Sequence, residues 1–250
     1  MKTKIWVAIG VSLLTSSSIT QGATAAPVSK VAEQISTPTG LEPQLINGWM
    51  MAQGGEGGEG GEGAAPAFQN KLSGPALLAT LRQGGTVIFF RHGQTEIDYA
   101  DQITAKMGYC NTQRMLSERG WQQARTIGKA FQSLKIPVGE VYASEYCRAW
   151  QTADLAFGRY EKRSGLNFAP AEEYTEAQIE DMRRGIMPLL TAAPAPKTNT
   201  IIVGHDDVFE AATGIYPEPQ GVAYILKPSG NGGFEILAKV LPDEWAKLGQ

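Results

Sequence analysis

The chain reads as a layered α/β domain built on a mainly parallel sheet. Three observations predict it: short β-branched and aromatic runs such as TVIFF (86–90) and TIIV (200–203), amphipathic helical stretches between them, and turn residues at the junctions. Pro75 opens a short helix with Leu77, Leu78 and Leu81 on one face, and Gly84-Gly85 ends it. Residues 86–90 are apolar nearly throughout, as a strand buried on both faces requires. Residues 116–134 have helical periodicity, with Ser117 as the cap and Trp121, Ala124, Gly128 and Phe131 on one face. Residues 138–143 are a second strand, and 148–157 a helix that turns Trp150, Ala153 and Phe157 to the core. Residues 173–190 predict a helix broken near Pro188. Residues 200–203 form a third buried strand, and 222–226 and 234–240 two late strands joined by a turn at 229–233.

Composition bounds the rest. The chain has 250 residues, with 22 basic and 25 acidic side chains and a formal charge of −3. A nucleic-acid binder needs a concentrated basic stripe, which this balance lacks. The 42% hydrophobic content is enough for a packed core. No apolar run reaches the roughly 20 residues that a membrane span requires. Residues 1–25 have the layout of a secretory signal peptide: Lys2 and Lys4, an apolar stretch over 5–14, and a small-x-small site at Ala23-Thr24-Ala25. Removing them takes away two lysines and no acid, so the charge goes from −3 to −5. The mature protein is therefore expected in an exported, oxidising compartment, periplasmic or secreted. Residues 26–66 read as a tether, Ser/Thr/Pro-rich at first and then three GGE repeats and a glycine over 54–63, interrupted by Leu45, Ile46, Trp49 and Met50. The globular domain is expected over 67–250.

Both histidines of the chain stand immediately beyond buried strands, His92 in Arg91-His92-Gly93 and His205 in Gly204-His205. Ligands of open α/β sheets bind outside the carboxyl ends of strands, so both imidazoles are expected at one edge. Arg91 precedes the first histidine, and Arg148 opens a helix whose free N–H groups favour anions. Two guanidiniums and two imidazoles on one pocket suit a phosphate dianion. Thr95 is a candidate hydroxyl contact to the same group.

The blocks RHGQT (91–95), CNTQRMLSERGWQQAR (110–125), YASEYCRAWQTA (142–153) and the strand-borne GH (204–205) resemble the histidine phosphatase superfamily over roughly residues 84–240. The resemblance implies a three-layer α/β/α, phosphoglycerate-mutase-like fold. It implies that His92 is the nucleophile and becomes a phosphohistidine, while Arg91, Arg148 and His205 bind the transferring phosphoryl group. Phosphoryl transfer asks for in-line attack and charge stabilisation, which these side chains supply, so no metal and no cofactor are expected. The attacking imidazole needs its other nitrogen held, with a backbone carbonyl as the expected partner.

The leaving alkoxide needs a proton from a carboxylic acid. The resemblance offers two places for it: Asp206, directly after His205, or the run Glu172, Glu173 and Glu176. Asp206 is favoured because the strand fixes its position. Asp98 stands where the mutases of the family carry a phosphate-contacting asparagine, which argues against mutase activity. Cys110 and Cys147 flank two motif blocks, and a bridge closing about 37 residues contributes about 3–4 kcal/mol in the chain-entropy model; two separate buried thiols are the alternative. The expected function is an exported, metal-independent phosphomonoesterase acting on a small phosphorylated substrate or a cell-envelope phosphate ester. The alternatives are a phosphoprotein or phosphohistidine phosphatase on the same scaffold, and a non-catalytic phosphate-binding module.

Overall fold

A computed structural model describes residues 68–96, 101, 105–171 and 173–249. The signal segment over 1–25, the tether over 26–66, Asp98 and Glu172 lie outside the described residues. In chain order the elements are α1 (Gly74–Gln83), β1 (Val87–Arg91), α2 (Glu118–Ser133), β2 (Val138–Ala143), α3 (Cys147–Phe157), β3 (Glu161–Lys162), α4 (Glu176–Thr191), β4 (Asn199–Gly204), α5 (Asp206–Thr213), β5 (Ala223–Pro228) and β6 (Phe234–Val240).

The strands form one six-stranded sheet in the order β3-β2-β4-β1-β5-β6. β1 to β4 run parallel, and β5 joins β1 antiparallel as the central strand's other neighbour. The mainly parallel α/β architecture is thus as the sequence predicts. β1 is buried along its whole length, and its side chains alternate between the two faces. Ile88 and Phe90 pack with Leu77, Leu78 and Leu81 of α1, Ile127 and Phe131 of α2, Ala149 and Ala153 of α3, and Trp245. Val87 and Phe89 pack with Met182, Ile186 and Leu190 of α4 and Val208 and Phe209 of α5. Helices therefore cover both faces, giving three layers. Among the described residues no helix is long and apolar enough to cross a membrane.

Two local expectations are corrected, and one helix is added. The buried face of α2 runs through Gly120, Ala124, Ile127, Gly128 and Phe131, and Trp121 is exposed. Close packing decides this: a Cβ at Gly120 would stand 2.0 Å from the Gln94 carbonyl oxygen, and one at Gly128 2.2 Å from that of Ala156. The helix must turn its glycines, not its indole, toward the neighbouring backbone. α4 starts at Glu176 and runs unbroken through Pro188 to Thr191. Pro188 and Arg184 are both exposed, so water can satisfy the carbonyl that proline leaves without a donor. Finally, α5 follows His205 directly, a helix that its short apolar content does not announce.

Candidate active site

The register of the two central strands builds the site. β1 and β4 pair in parallel with Arg91 opposite Gly204, so His92 and His205 leave the sheet side by side. The His92 N–H donates to the Gly204 carbonyl at 3.0 Å, which locks the two exits together. The ring centroids are 5.4 Å apart. Arg91, His92, Arg148 and His205 are all buried, at 1–6% exposure. The four residues singled out in the sequence are therefore brought together.

His92 is held in one tautomer from both ends. Its Nδ1 lies 2.8 Å from the Gly93 carbonyl oxygen, which can only accept, so Nδ1 carries the proton. Arg148 Nε, which can only donate, lies 3.2 Å from His92 Nε2 and meets the lone pair there. The loop carrying His92 is pinned by Gly93 N–H donating to Thr152 Oγ1 at 2.9 Å and Gln94 N–H donating to Gln123 Oε1 at 2.9 Å. Ser117 caps α2 by accepting from Gly120 N–H, and its own hydroxyl donates to the Gln94 carbonyl. Burial holds the basicity of both imidazoles well below the ordinary histidine range, and the Arg148 charge lowers it further. Both rings are therefore neutral near pH 7.

Each buried arginine of the sequence-predicted pair is oriented by a carboxylate. Arg148 donates through NH1 to Asp101 Oδ1 at 2.9 Å, and its guanidinium lies 5.1 Å and 5.2 Å from the ring centroids of Tyr146 and Phe168. Arg91 donates through NH2 to Asp206 Oδ2 at 2.5 Å and through NH1 to the Pro217 carbonyl at 3.2 Å. The Tyr216 hydroxyl donates to the same Asp206 oxygen at 2.7 Å. Asp206 thus stands at the site, on Arg91. Glu173 is exposed, and no hydrogen bond or ion pair joins it to this cluster among the described residues. Thr95 is buried, but its hydroxyl receives the Gln220 amide at 3.2 Å.

The structure adds a third guanidinium, Arg114. Its backbone N–H donates to Asp101 Oδ1 at 2.8 Å, the same oxygen that holds Arg148. Its charge depresses the basicity of both histidines, and its Nε is buried without a hydrogen-bond partner among the described residues. Cys110 and Cys147 form a disulfide, and Gln113 Oε1 accepts from the Cys147 N–H at 2.8 Å. The segment carrying Arg114 is thereby stapled to the start of α3, beside Arg148.

Asp207, on the first turn of α5, is pushed up to about 6 by burial and by the neighbouring Asp206 charge, and the Tyr174 hydroxyl donates to it. A carboxyl raised above its unfolded value keeps its proton in the fold through a window where the unfolded chain has lost it. Its contribution to stability therefore falls between about pH 4 and pH 6 and stays low above that. Asp207→Asn removes this penalty. Denaturant titrations should show the variant more stable than the parent at pH 7.5, with the gap closing by pH 4; a gap independent of pH would refute the assignment.

The family description "Histidine phosphatase superfamily (branch 1)" matches residues 87–184, from β1 into α4. No curated protein matches the chain significantly. Among solved structures, the chain is similar to the protein histidine phosphatase SixA complexed with tungstate, at 15% identity and TM-score 0.47 over 64% of this chain and 98% of that one. It is also similar to a phosphoserine phosphatase from Entamoeba histolytica in complex with phosphoserine, at 15% identity and TM-score 0.45 over 63% and 97%. TTHB049 from Thermus thermophilus aligns at 20% identity and TM-score 0.43 over 62% and 98%. Residues 87–184 thus match the histidine phosphatase superfamily, the family that the motif blocks resemble.

Proposed function

We propose that this protein is an exported, metal-independent phosphomonoesterase that works through a phosphohistidine on His92. The observation that carries the reading is the fixed tautomer of His92: Nδ1–H on the Gly93 carbonyl leaves Nε2 with its lone pair, directed at Arg148 and 5.4 Å ring to ring from His205. Nε2 attacks phosphorus, the P–O bond to the leaving group breaks, and the alcohol departs with a proton. Arg91, Arg148 and Arg114 stabilise the phosphoryl oxygens in the role a metal ion plays elsewhere. Water then attacks the phosphohistidine, releasing phosphate and restoring the imidazole. Asp206, at the edge of the cluster on Arg91, is the proposed proton donor: a substrate bound as the monoanion brings the proton, which Asp206 takes up and passes to the leaving oxygen. Export is supported by the signal-like residues 1–25 and by the Cys110–Cys147 disulfide. The substrate class is a phosphate monoester, small or borne on the cell envelope.

Purified protein should hydrolyse p-nitrophenyl phosphate, keep that activity in excess chelator and lose it to vanadate. Turnover that chelator abolishes and added metal restores would refute metal independence. Asp206→Asn distinguishes the acid from an anchor for Arg91. As the donor, Asp206 is needed most for poor leaving groups, so the variant should lose far more on an alkyl phosphate than on p-nitrophenyl phosphate. Equal losses on both would assign Asp206 to orienting Arg91 alone.

A further inference from the structure

His205 is bound on one side by a chain of hydrogen bonds that leaves its protons no choice. The Glu145 N–H donates to one terminal atom of the Asn167 side chain at 3.0 Å, which makes that atom the oxygen. The Asn167 amide nitrogen donates to Glu145 Oε2 at 2.7 Å, in agreement. The Ser144 hydroxyl lies 2.8 Å from the same Asn167 oxygen, which only accepts, so the hydroxyl proton points there. The Tyr146 N–H donates into Ser144 Oγ at 3.2 Å. A hydroxyl has one proton, and Ser144 has already given it to Asn167. His205 Nε2, 2.9 Å from Ser144 Oγ, must therefore be the donor in that contact.

A neutral imidazole has one N–H, so His205 Nδ1 carries a lone pair. Nδ1 is buried and has no hydrogen-bond partner among the described residues. The charged and titratable groups around the ring are Arg148 from α3 and Tyr146 just before it, His92 and Arg91 from the end of β1, Arg114 from the loop before α2, and Asp206 from α5. Burial above all, and then the guanidiniums, keep the free imidazole neutral. The oxygens of a phosphate monoester dianion are acceptors only, so they repel an unprotonated Nδ1. One proton has to lie between ring and phosphoryl oxygen.

We propose that Ser144 and Asn167 fix the tautomer of His205, so that Nδ1 meets the phosphoryl group and binding draws one proton onto that contact. The inference rests on the proposed phosphoryl site, and it names two positioning residues that touch neither substrate nor His92. The proton lies on Nδ1 as an imidazolium or on the phosphoryl oxygen as a monoanion. The count is the same: starting from neutral His205 and a free dianion, one proton is taken from solvent.

The chain has only two histidines, which makes a direct test possible. Ring-nitrogen NMR of untagged, histidine-labelled protein should show one Nδ1–H pattern, from His92, and one Nε2–H pattern, from His205; His92→Ala assigns them. Ser144→Ala removes the acceptor at Nε2. Asn167→Ala frees the Ser144 hydroxyl to donate to Nε2. Either change should move the His205 pattern to Nδ1–H and leave His92 unaltered, whereas Ser144→Thr should keep the parent pattern.

Calorimetry of tungstate binding at pH 8, in buffers of different ionisation heat, supplies the second readout, because the tungstate dianion, like that of a phosphate monoester and unlike inorganic phosphate, carries no O–H. The parent and Ser144→Thr should take up about one proton per tungstate, and the two alanine variants close to none, since Nδ1–H then donates to the dianion directly. Either alanine variant suffices if the other does not fold. An Nδ1–H pattern for His205 in the parent overturns the proposal, as does unchanged proton uptake in variants that bind tungstate. A parent that binds no tungstate and hydrolyses no ester, with the Nε2–H pattern intact, overturns the function and the uptake step while leaving the tautomer assignment standing.

Discussion

Replacing His92 with alanine should abolish the proposed phosphomonoesterase turnover, with kcat on p-nitrophenyl phosphate falling at least about 10³-fold. The size follows from what the side chain does. Arginines and a second histidine can bind and polarise a phosphate ester, but among the described residues His92 Nε2 is the nitrogen whose lone pair is turned into the cluster by a carbonyl clamp on the other side of the ring. Alanine leaves the binding groups and removes the atom that attacks. The variant should therefore still bind inorganic phosphate while losing kcat. Rapid quenching with labelled substrate should trap an acid-labile phosphoenzyme in the parent and none in the variant. Normal turnover by His92→Ala, or a phosphoenzyme that forms without residue 92, would remove the proposed nucleophile.

How much of this was legible in the sequence depends on where each residue's partners lie. β1 and β4 are visible as apolar runs, and strand ends are where α/β sites form, so His92 and His205 could be placed at one edge without coordinates. Arg148 could be added because it opens a helix in a motif. The second rank was hidden. Ser144 meets His205 across 61 positions of the chain, and Asp101 meets Arg148 across 47. Such polar residues in loops leave no periodic trace, and a loop's course follows from packing that the sequence does not display. Arg114 had one signal: it lies four residues after Cys110, and a bridge from Cys110 to Cys147 brings that segment beside Arg148. Trp121 shows the opposite failure. Helical spacing put it on the core face, but Gly120 and Gly128 had to face the neighbouring backbone, and that contact outranked burial of an indole.

Arg148→Lys should lower kcat about 10²- to 10³-fold although it preserves the charge. Arg148 makes three contacts at once: Nε toward His92 Nε2, NH1 on Asp101, and its guanidinium beside the mutually stacked rings of Tyr146 and Phe168. An ammonium is a point charge and cannot reach His92 and Asp101 from one position, so Asp101 is left half-buried without its bidentate-capable partner. Asp101→Asn tests that link. If Asp101 serves to aim the guanidinium, its loss should matter in the parent and hardly at all once residue 148 is lysine, giving a double variant no worse than Arg148→Lys alone. Additive losses would instead mean that Asp101 acts on the substrate or on Arg114 independently of Arg148. The distinction reaches back to the disulfide. Arg114 and Arg148 share one Asp101 oxygen, and the Cys110–Cys147 bridge joins the two segments that carry them. Near-parental kcat/KM in Arg148→Lys would show that charge alone suffices at this position, and the geometric case for two forked guanidiniums around the phosphoryl group would fail with it.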